Sequence, residues 1–376
     1  MVRKKFLLKK IVQAEGHVDR WRLNRRIRKG RMGKIIIFPY RGYGNEKEVT
    51  IMGRVMEDKG LAKPNVYDST WTNIKAMFRR YLSREIPFVN LQANFQGEEE
   101  TIRTDDEGYF HLHMPYQEPL PADQLWHHVH FELQDELIPD QPEISGIGEV
   151  MIPDVKSHFG IISDIDDTVL ISKTTNRIEI IRMAMVHNAT TRLPFHGVSA
   201  FYNALQRGSD GERHNPIFYV SSSPWNMYDL LEEFFRLNDI PKGPILLRDI
   251  GISETKFLKE KHASHKLEKI RSILSFYPDL PFILIGDSGQ HDPEIYQEVV
   301  DAYPGRILSI YIRDVTKPER REEVKKIAEE LAKKKVDLII KEDTAKAATH
   351  AEKRNFIQQG SSAKIIKGMK KDEKLL

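Results

Sequence analysis

The chain of 376 residues is 40% hydrophobic and 30% charged, enough apolar material for one large core or two ordinary ones and too mixed for a fibrous or wholly disordered protein. It contains no cysteine, which excludes disulfides, thiolate metal sites and every cysteine nucleophile, so any covalent catalysis must use oxygen or nitrogen. The formal net charge of +3 is uneven, because Met1 to Lys34 holds thirteen Lys or Arg against Glu15 and Asp19 while the remainder is net acidic.

Residues 1–34 therefore read as a basic arm. Phe6, Leu7, Leu8, Ile11 and Val12 would share one side of a short helix, with Trp21, Leu23 and Ile27 beyond it. An anionic membrane or a nucleic acid would suit such charge; a solvated start that packs a few apolar residues is the plainer alternative. No run approaches the roughly eighteen apolar residues of a membrane span, and Phe6-Leu7-Leu8 is too short for a signal-peptide core. The expected location is cytoplasmic, at most peripheral at a membrane.

Residues 35–150 alternate with period two. Val49, Ile51 and Val55 flank Gly53, and Val89, Leu91, Ala93 and Phe95 interleave with Asn90, Gln92 and Asn94, the pattern of half-buried antiparallel strands. Thr104 to Phe110 has the acidic-then-glycine chemistry of a tight turn, and Trp126 to Leu133 is a further alternating strand. Trp71, Ile74, Phe78, Tyr81 and Leu82 predict one helical interruption of what is otherwise a small β-sandwich. His111, His113, His127, His128 and His130 lie on alternating strands and need not converge, which argues against a histidine metal centre.

Past a loop rich in Pro and Gly, residues 151–345 change to short apolar strands separated by helical stretches: Phe159 to Ser163, Ile217 to Ser221, Ile245 to Leu247, Phe282 to Ile285 and Ile307 to Ile312. Fully apolar strands joined through helices predict a doubly wound parallel α/β sheet covered on both faces, with its ligand outside the carboxyl ends of the strands. A charged helix follows from Glu319. Residues 346–376 form a Lys-rich tail expected to fray from Lys364.

Asp164 and Asp166, in Asp164-Ile165-Asp166-Asp167-Thr168, directly follow the first of these strands. Two carboxylates so placed can divide labour, one attacking or binding metal while the other exchanges protons with a leaving group. A calcium loop of the EF-hand type is excluded, since Val169 and Thr175 occupy the positions that require Gly and Glu; a helix cap remains the bland alternative. Asp287 and Asp292, in Gly286-Asp287-Ser288-Gly289-Gln290-His291-Asp292, follow another apolar strand and would complete an all-oxygen site for a hard cation such as Mg²⁺. Between them, Ser221-Ser222-Ser223-Pro224-Trp225-Asn226 would cradle phosphate with a hydroxyl and helix-start N–H groups. Lys266 opens a helical segment, a position where lysine is ordinarily a surface residue.

That order of motifs resembles the haloacid dehalogenase superfamily of phosphatases. More narrowly, Gly160 to Leu170, Ser221 to Asn226, His265-Lys266 and Leu284 to Tyr296 resemble the phosphatidate phosphatase family named for actin patch protein. Pro39 to Gly44 and Gly53-Arg54-Val55 are similar to its bacterial members, which carry a β-domain ahead of the catalytic one.

The resemblance implies that Asp164 attacks phosphorus to form an aspartyl phosphate and that Asp166 acts as acid, then base. It implies Mg²⁺ held by Asp164, the Asp166 carbonyl, Asp287 and Asp292. Ser221 and Ser222 would bind phosphate together with Lys266, and Thr168 would support the loop. The stretches Val169 to Pro216 and Pro224 to His265 leave no room for a large cap, so the crevice would be open to a lipid headgroup, with Pro224, Trp225 and Met227 beside it. The function so implied is hydrolysis of phosphatidate to diacylglycerol and phosphate. A phosphatase of soluble or nucleic-acid phosphomonoesters and a non-catalytic membrane or protein binding module are the alternatives.

Overall fold

In the computed structural model, strict alternation of burial along Asn90–Phe95, with Leu91, Ala93 and Phe95 inward and their neighbours half-buried, shows how the period-two pattern builds the first half of the chain. The structure describes residues 25, 27–28, 32–58, 84–121, 124–154, 156–165, 168, 197–212, 214–248, 260–315, 318–341 and 344–373. The described residues form two compact units, one ending at Ile152 and the other starting at Pro153.

The first unit is a hydrogen-bonded network of nine strands: β1 (Lys34–Pro39), β2 (Gly42–Gly44), β3 (Glu48–Asp58), β4 (Arg84–Glu85), β5 (Asn90–Phe95), β6 (Glu98–Arg103), β7 (Tyr109–Pro115), β8 (Trp126–Leu133) and β9 (Ser145–Met151). The order is β1-β3-β2-β9-β8-β5-β6, with β4 and β7 branching from the long strand β3. The pairs are antiparallel as expected, except that β2 and β9 run parallel, so the sheet is mixed. Gln96 and Gly97, at φ 51° and 81°, make the two-residue turn that joins β5 to β6. Asp105 builds the expected turn before β7, its Oδ1 accepting the N–H groups of Glu107 and Tyr109.

Val49, Ile51, Leu91, Phe110, Val129 and Phe131 fill the core of this unit, with the rings of Phe110 and Phe131 4.9 Å apart. His111 and His113 on β7 and His128 and His130 on β8 are exposed, while His127 is buried with Nε2 2.9 Å from the Gln124 carbonyl. The helix expected through Trp71 to Leu82, and the short one through Phe6 to Val12, lie outside the described residues.

The second unit is a six-stranded, wholly parallel sheet: β10 (Gly160–Asp164), β11 (Ile217–Pro224), β12 (Ile245–Arg248), β13 (Phe282–Asp287), β14 (Ile307–Arg313) and β15 (Asp337–Lys341). Its order β12-β11-β10-β13-β14-β15 is that of a doubly wound fold, in which the sequence of strands reverses between β10 and β13 and opens a crevice there. β15 exceeds the five strands expected. Its short apolar run sits at the sheet edge among Lys and Asp, where composition resembles a charged helix.

The described helices are α1 (Val198–Arg207), α2 (Tyr228–Leu237), α3 (Glu260–Phe276), α4 (Asp292–Ala302), α5 (Pro318–Lys333), α6 (Thr344–Lys353) and α7 (Ser361–Glu373). α3, α4 and α5 pack side by side; α1, α6 and α7 form a separate group. Phe218 meets Tyr277 at the end of α3 with ring centroids 5.6 Å apart, whereas the next residue, Tyr219, meets Phe235 of α2 at 4.4 Å. Successive side chains of β11 thus serve opposite layers, which is why β10, β12 and β13 are buried along their whole lengths and read as continuous apolar runs. The tail expected to fray instead forms α7, anchored by the buried Ile365 and Met369. Among the described residues no helix is long and apolar enough to cross a membrane.

Candidate active site

Asp164 is the last residue of β10 and Asp287 the last of β13, so the two flank the switch point at the carboxyl edge of the sheet. Asp292 enters from the first turn of α4, where an acidic side chain is favoured by the helix dipole and Pro293 suits the opening turn. All three carboxylates are at most 1% exposed. One oxygen from each lies within 4.8 Å of the others, the group of described residues arranged to hold a metal ion.

Hydrogen bonds fix each carboxylate. Thr168 Oγ donates to Asp164 Oδ2 at 3.3 Å. Asp287 Oδ1 accepts the backbone N–H groups of Gly289 at 2.6 Å and Gln290 at 2.9 Å, and the N–H of Asp287 donates to Asp292 Oδ2 at 3.1 Å. Gly286 makes this last bond possible: a Cβ there would stand 2.3 Å from Asp292 Oδ2.

Lys266, also buried, extends from α3 so that its Nζ lies 2.8 Å from Asp164 Oδ1 and contacts Asp292 Oδ1 as well. The helix begins at Glu260, so Lys266 stands nearly two turns inside it rather than at its opening. Burial disfavours its charge, but the carboxylates of Asp164 and Asp292 outweigh that and raise its pKa. Asp287 is pushed up to about 7, first by burial and then by repulsion from Asp292.

These features test whether the residues fit a hard cation. Three buried carboxylates face one ammonium, which leaves negative charge unbalanced in a low-dielectric site. Asp287 Oδ2 is buried without a hydrogen-bond partner among the described residues. A divalent cation would correct both, and the donors are all oxygens, as Mg²⁺ requires. The residues fit.

Ser221 and Ser222 are buried on β11, the strand beside β10, where Val220 pairs with Asp164. β11 continues to Pro224 and a single 3₁₀ turn, Trp225–Met227, precedes α2, so the helix start expected next to Ser221 is displaced along the chain. Ser221 Oγ accepts the N–H of Ser223 at 3.0 Å. Trp225 is half-buried and stacks on Tyr228 at 6.3 Å; Met227, at 2% exposure, belongs to the core and is unavailable to a ligand. Asp166 lies outside the described residues.

Two supporting layers escaped sequence reasoning. Ser163 Oγ donates to the Asp164 carbonyl at 2.8 Å and meets the Tyr202 hydroxyl of α1 at 2.8 Å. Arg320 of α5 grips the loop between Asp287 and Asp292. A lone Tyr in an amphipathic helix and an Arg in a charged one carry no signal in sequence beyond core and surface.

Residues 159–314 match the family model of the phosphatidate phosphatase APP1 catalytic domain. The chain is 36% identical over 156 residues to the phosphatidate phosphatase APP1 of Saccharomyces cerevisiae, an alignment covering 41% of this chain and 26% of the relative. It is 30% identical over 273 residues to an uncharacterized protein of Schizosaccharomyces pombe, covering 68% of this chain and 42% of that one. It thus spans about a quarter of the length of the first relative and about two fifths of the second. Among solved structures, a carbohydrate acetylesterase from Xanthomonas citri covers 76% of this chain and 71% of its own at 10% identity, with a TM-score of 0.26, a likeness too low to bear on the fold or the site. Every described acid and lysine of the site falls within the matched segment, and residues 159–314 belong to the APP1 phosphatidate phosphatase catalytic domain family.

Proposed function

We propose that this chain is a magnesium-dependent phosphatidate phosphatase that releases diacylglycerol and inorganic phosphate, with Asp164 as nucleophile. The observation that carries the chemistry is the Lys266 ammonium between Asp164 and Asp292, beside a buried Asp287 oxygen that has no hydrogen-bond partner among the described residues. The lipid substrate is supported by what the family and the yeast relative are described as doing.

Asp164, held on one oxygen by Thr168 and on the other by Lys266, is presented at a strand end with little freedom to turn. Its carboxylate attacks phosphorus, the phosphorus–ester oxygen bond breaks, and the departing alkoxide takes its proton from Asp166. Asp166 then accepts a proton from the water that hydrolyses the aspartyl phosphate, which frees phosphate and restores Asp164. Lys266 neutralises the anions that must meet, and Ser221 and Ser222 face the phosphoryl oxygens from the neighbouring strand. Mg²⁺ held by Asp164, Asp287 and Asp292 supplies the remaining charge stabilisation. The thirteen Lys or Arg of residues 1–34 suit contact with an anionic membrane surface.

The test is phosphate release from phosphatidate in mixed micelles, with and without Mg²⁺, beside a panel of soluble phosphomonoesters and an Asp164→Asn variant. Release that needs Mg²⁺ and vanishes in the variant supports the reading. Brisk hydrolysis of soluble esters with none of phosphatidate moves the substrate to the soluble class, and an Asp164→Asn protein as active as wild type ends the nucleophile assignment.

A further inference from the structure

Asp287 and Asp292 are separated by a four-residue loop, Ser288 to His291, and the aim of Asp287 depends on that loop. Its Oδ1 accepts the N–H groups of Gly289 and Gln290, so its side chain cannot turn unless those amides move. The outer side of the same loop is gripped by Arg320. Nε donates to the Ser288 carbonyl at 3.1 Å and Nη2 to the Gln290 carbonyl at 3.0 Å. Nη2 also donates to Glu294 Oε2 at 2.7 Å, and Nη1 donates to Glu294 Oε1 at 2.5 Å and to Glu323 Oε2 at 2.9 Å.

All five N–H groups of the guanidinium are thus engaged, two on loop carbonyls, two on the first turns of α4 and one on its own helix. The Glu323 pair is an exposed i,i+3 contact and contributes little. The fork across Ser288, Gln290 and Glu294 is different in kind, since it joins the end of β13 to the start of α4 and needs a planar donor set that lysine lacks. Arg320 also lies beyond residue 314, where the family match ends, so this grip comes from a helix outside the matched segment.

We infer that Arg320 is a positioning residue for the cation site: by clamping the loop between Asp287 and Asp292 it fixes the aim of Asp287 and so sets the affinity for Mg²⁺. The inference rests on the reading of the three carboxylates as a cation site. Groups that orient metal ligands typically change metal affinity by about 10- to 100-fold when removed.

The test uses the full chain, stripped of metal, as wild type, Arg320→Lys, Arg320→Gln and the control Arg271→Gln, whose ion pair with Glu298 joins α3 to α4 away from the loop. Mg²⁺ binding is read by titration calorimetry, unfolding midpoints are recorded without metal, and phosphate release is measured against Mg²⁺ concentration. Both Arg320 variants should bind Mg²⁺ about tenfold more weakly or worse while retaining most of the turnover at saturating Mg²⁺, with Arg271→Gln unchanged. Folded Arg320 variants that bind Mg²⁺ as wild type does overturn the inference, as does loss of turnover that excess Mg²⁺ cannot restore. A wild type that binds no Mg²⁺ overturns the cation-site reading itself, and with it this inference. Intact Mg²⁺ binding without hydrolysis of phosphatidate counts against the substrate alone.

Discussion

The backbone N–H of Asp287 donates to Asp292 Oδ2 across 3.1 Å, so the strand end that carries one carboxylate is tied directly to the next. The bond needs a residue without Cβ at position 286, because an added methyl group would stand 2.3 Å from that oxygen and 2.9 Å from the Asp292 Cβ and Cγ. Position 286 lies within β13 and Asp292 opens α4, so neither backbone is free to give way. Gly286→Ala should therefore displace the Asp292 carboxylate, destabilise the fold by about 1–3 kcal/mol, and shift the Mg²⁺ dependence of phosphate release to higher concentration. Urea unfolding and a Mg²⁺ titration of activity check it; a variant with an unaltered titration would show that the oxygen is not held as described.

Lys266 is the counter-charge that faces Asp164 and Asp292 in the interior. Removing one partner of a buried ion pair leaves an uncompensated charge and typically costs about 3–5 kcal/mol. Lys266→Met keeps the stem and discards the ammonium, so it should lower the unfolding midpoint strongly without metal and regain part of the loss when Mg²⁺ is added, because the cation then balances the same carboxylates. Thermal unfolding with and without Mg²⁺ measures both effects. Equal losses in the two conditions would mean that Mg²⁺ does not bind beside Asp164 and Asp292.

Asp287 supplies a pH dependence of unusual sign. Its folded pKa is raised to about 7, first by burial and then by Asp292, so its contribution to metal-free stability is present at low pH and is lost as pH rises through about 7. Asp287→Asn, which lacks the charge, should be more stable than metal-free wild type near pH 8, and the gap should narrow steadily as pH falls below about 7 toward the ordinary carboxylate range. Mg²⁺ competes with that proton, so binding to wild type near pH 7 should release protons, seen as calorimetric heats that change with the ionisation enthalpy of the buffer. Heats that are the same in every buffer, or a gap that widens on acidification, would contradict this placement of the proton.

How much of this site was legible in sequence follows from where each residue lies. Asp164 and Asp287 stand immediately after continuous apolar runs, and such runs mean parallel strands whose carboxyl ends face the crevice. Lys266 was visible only by its place in the series of motifs, since a lysine in a helix is ordinarily solvated and nothing local shows that its ammonium is buried between two carboxylates. β15 and α7 were hidden because both sit among charges: Leu338, Ile365 and Met369 are buried by tertiary packing that composition does not reveal. Tyr202 and Arg320 act through long-range hydrogen bonds, 39 residues to Ser163 and 30 residues to Gln290, which no local pattern encodes.

The Tyr202–Ser163 pair allows a prediction in which the order of effects is the test. Ser163 Oγ uses its proton on the Asp164 carbonyl, so in the pair with Tyr202 the phenol must be the donor. Burial holds the Tyr202 pKa above its ordinary value and keeps that proton in place. Tyr202→Phe removes the donor and leaves Ser163 with its carbonyl bond intact, a loss of about 1 kcal/mol. Ser163→Ala removes the acceptor and strands a buried phenol O–H, which costs more, about 1–3 kcal/mol. With both substitutions the phenol O–H is no longer stranded, and the loss of the Asp164 carbonyl's donor is common to Ser163→Ala and the double variant, so the double variant should be less destabilised than the two single effects summed. Urea unfolding of the four proteins decides it. A Tyr202→Phe loss larger than that of Ser163→Ala, or strict additivity, would reverse the donor assignment or dissolve the pair, and with it the tether that holds the Asp164 carbonyl at the end of β10.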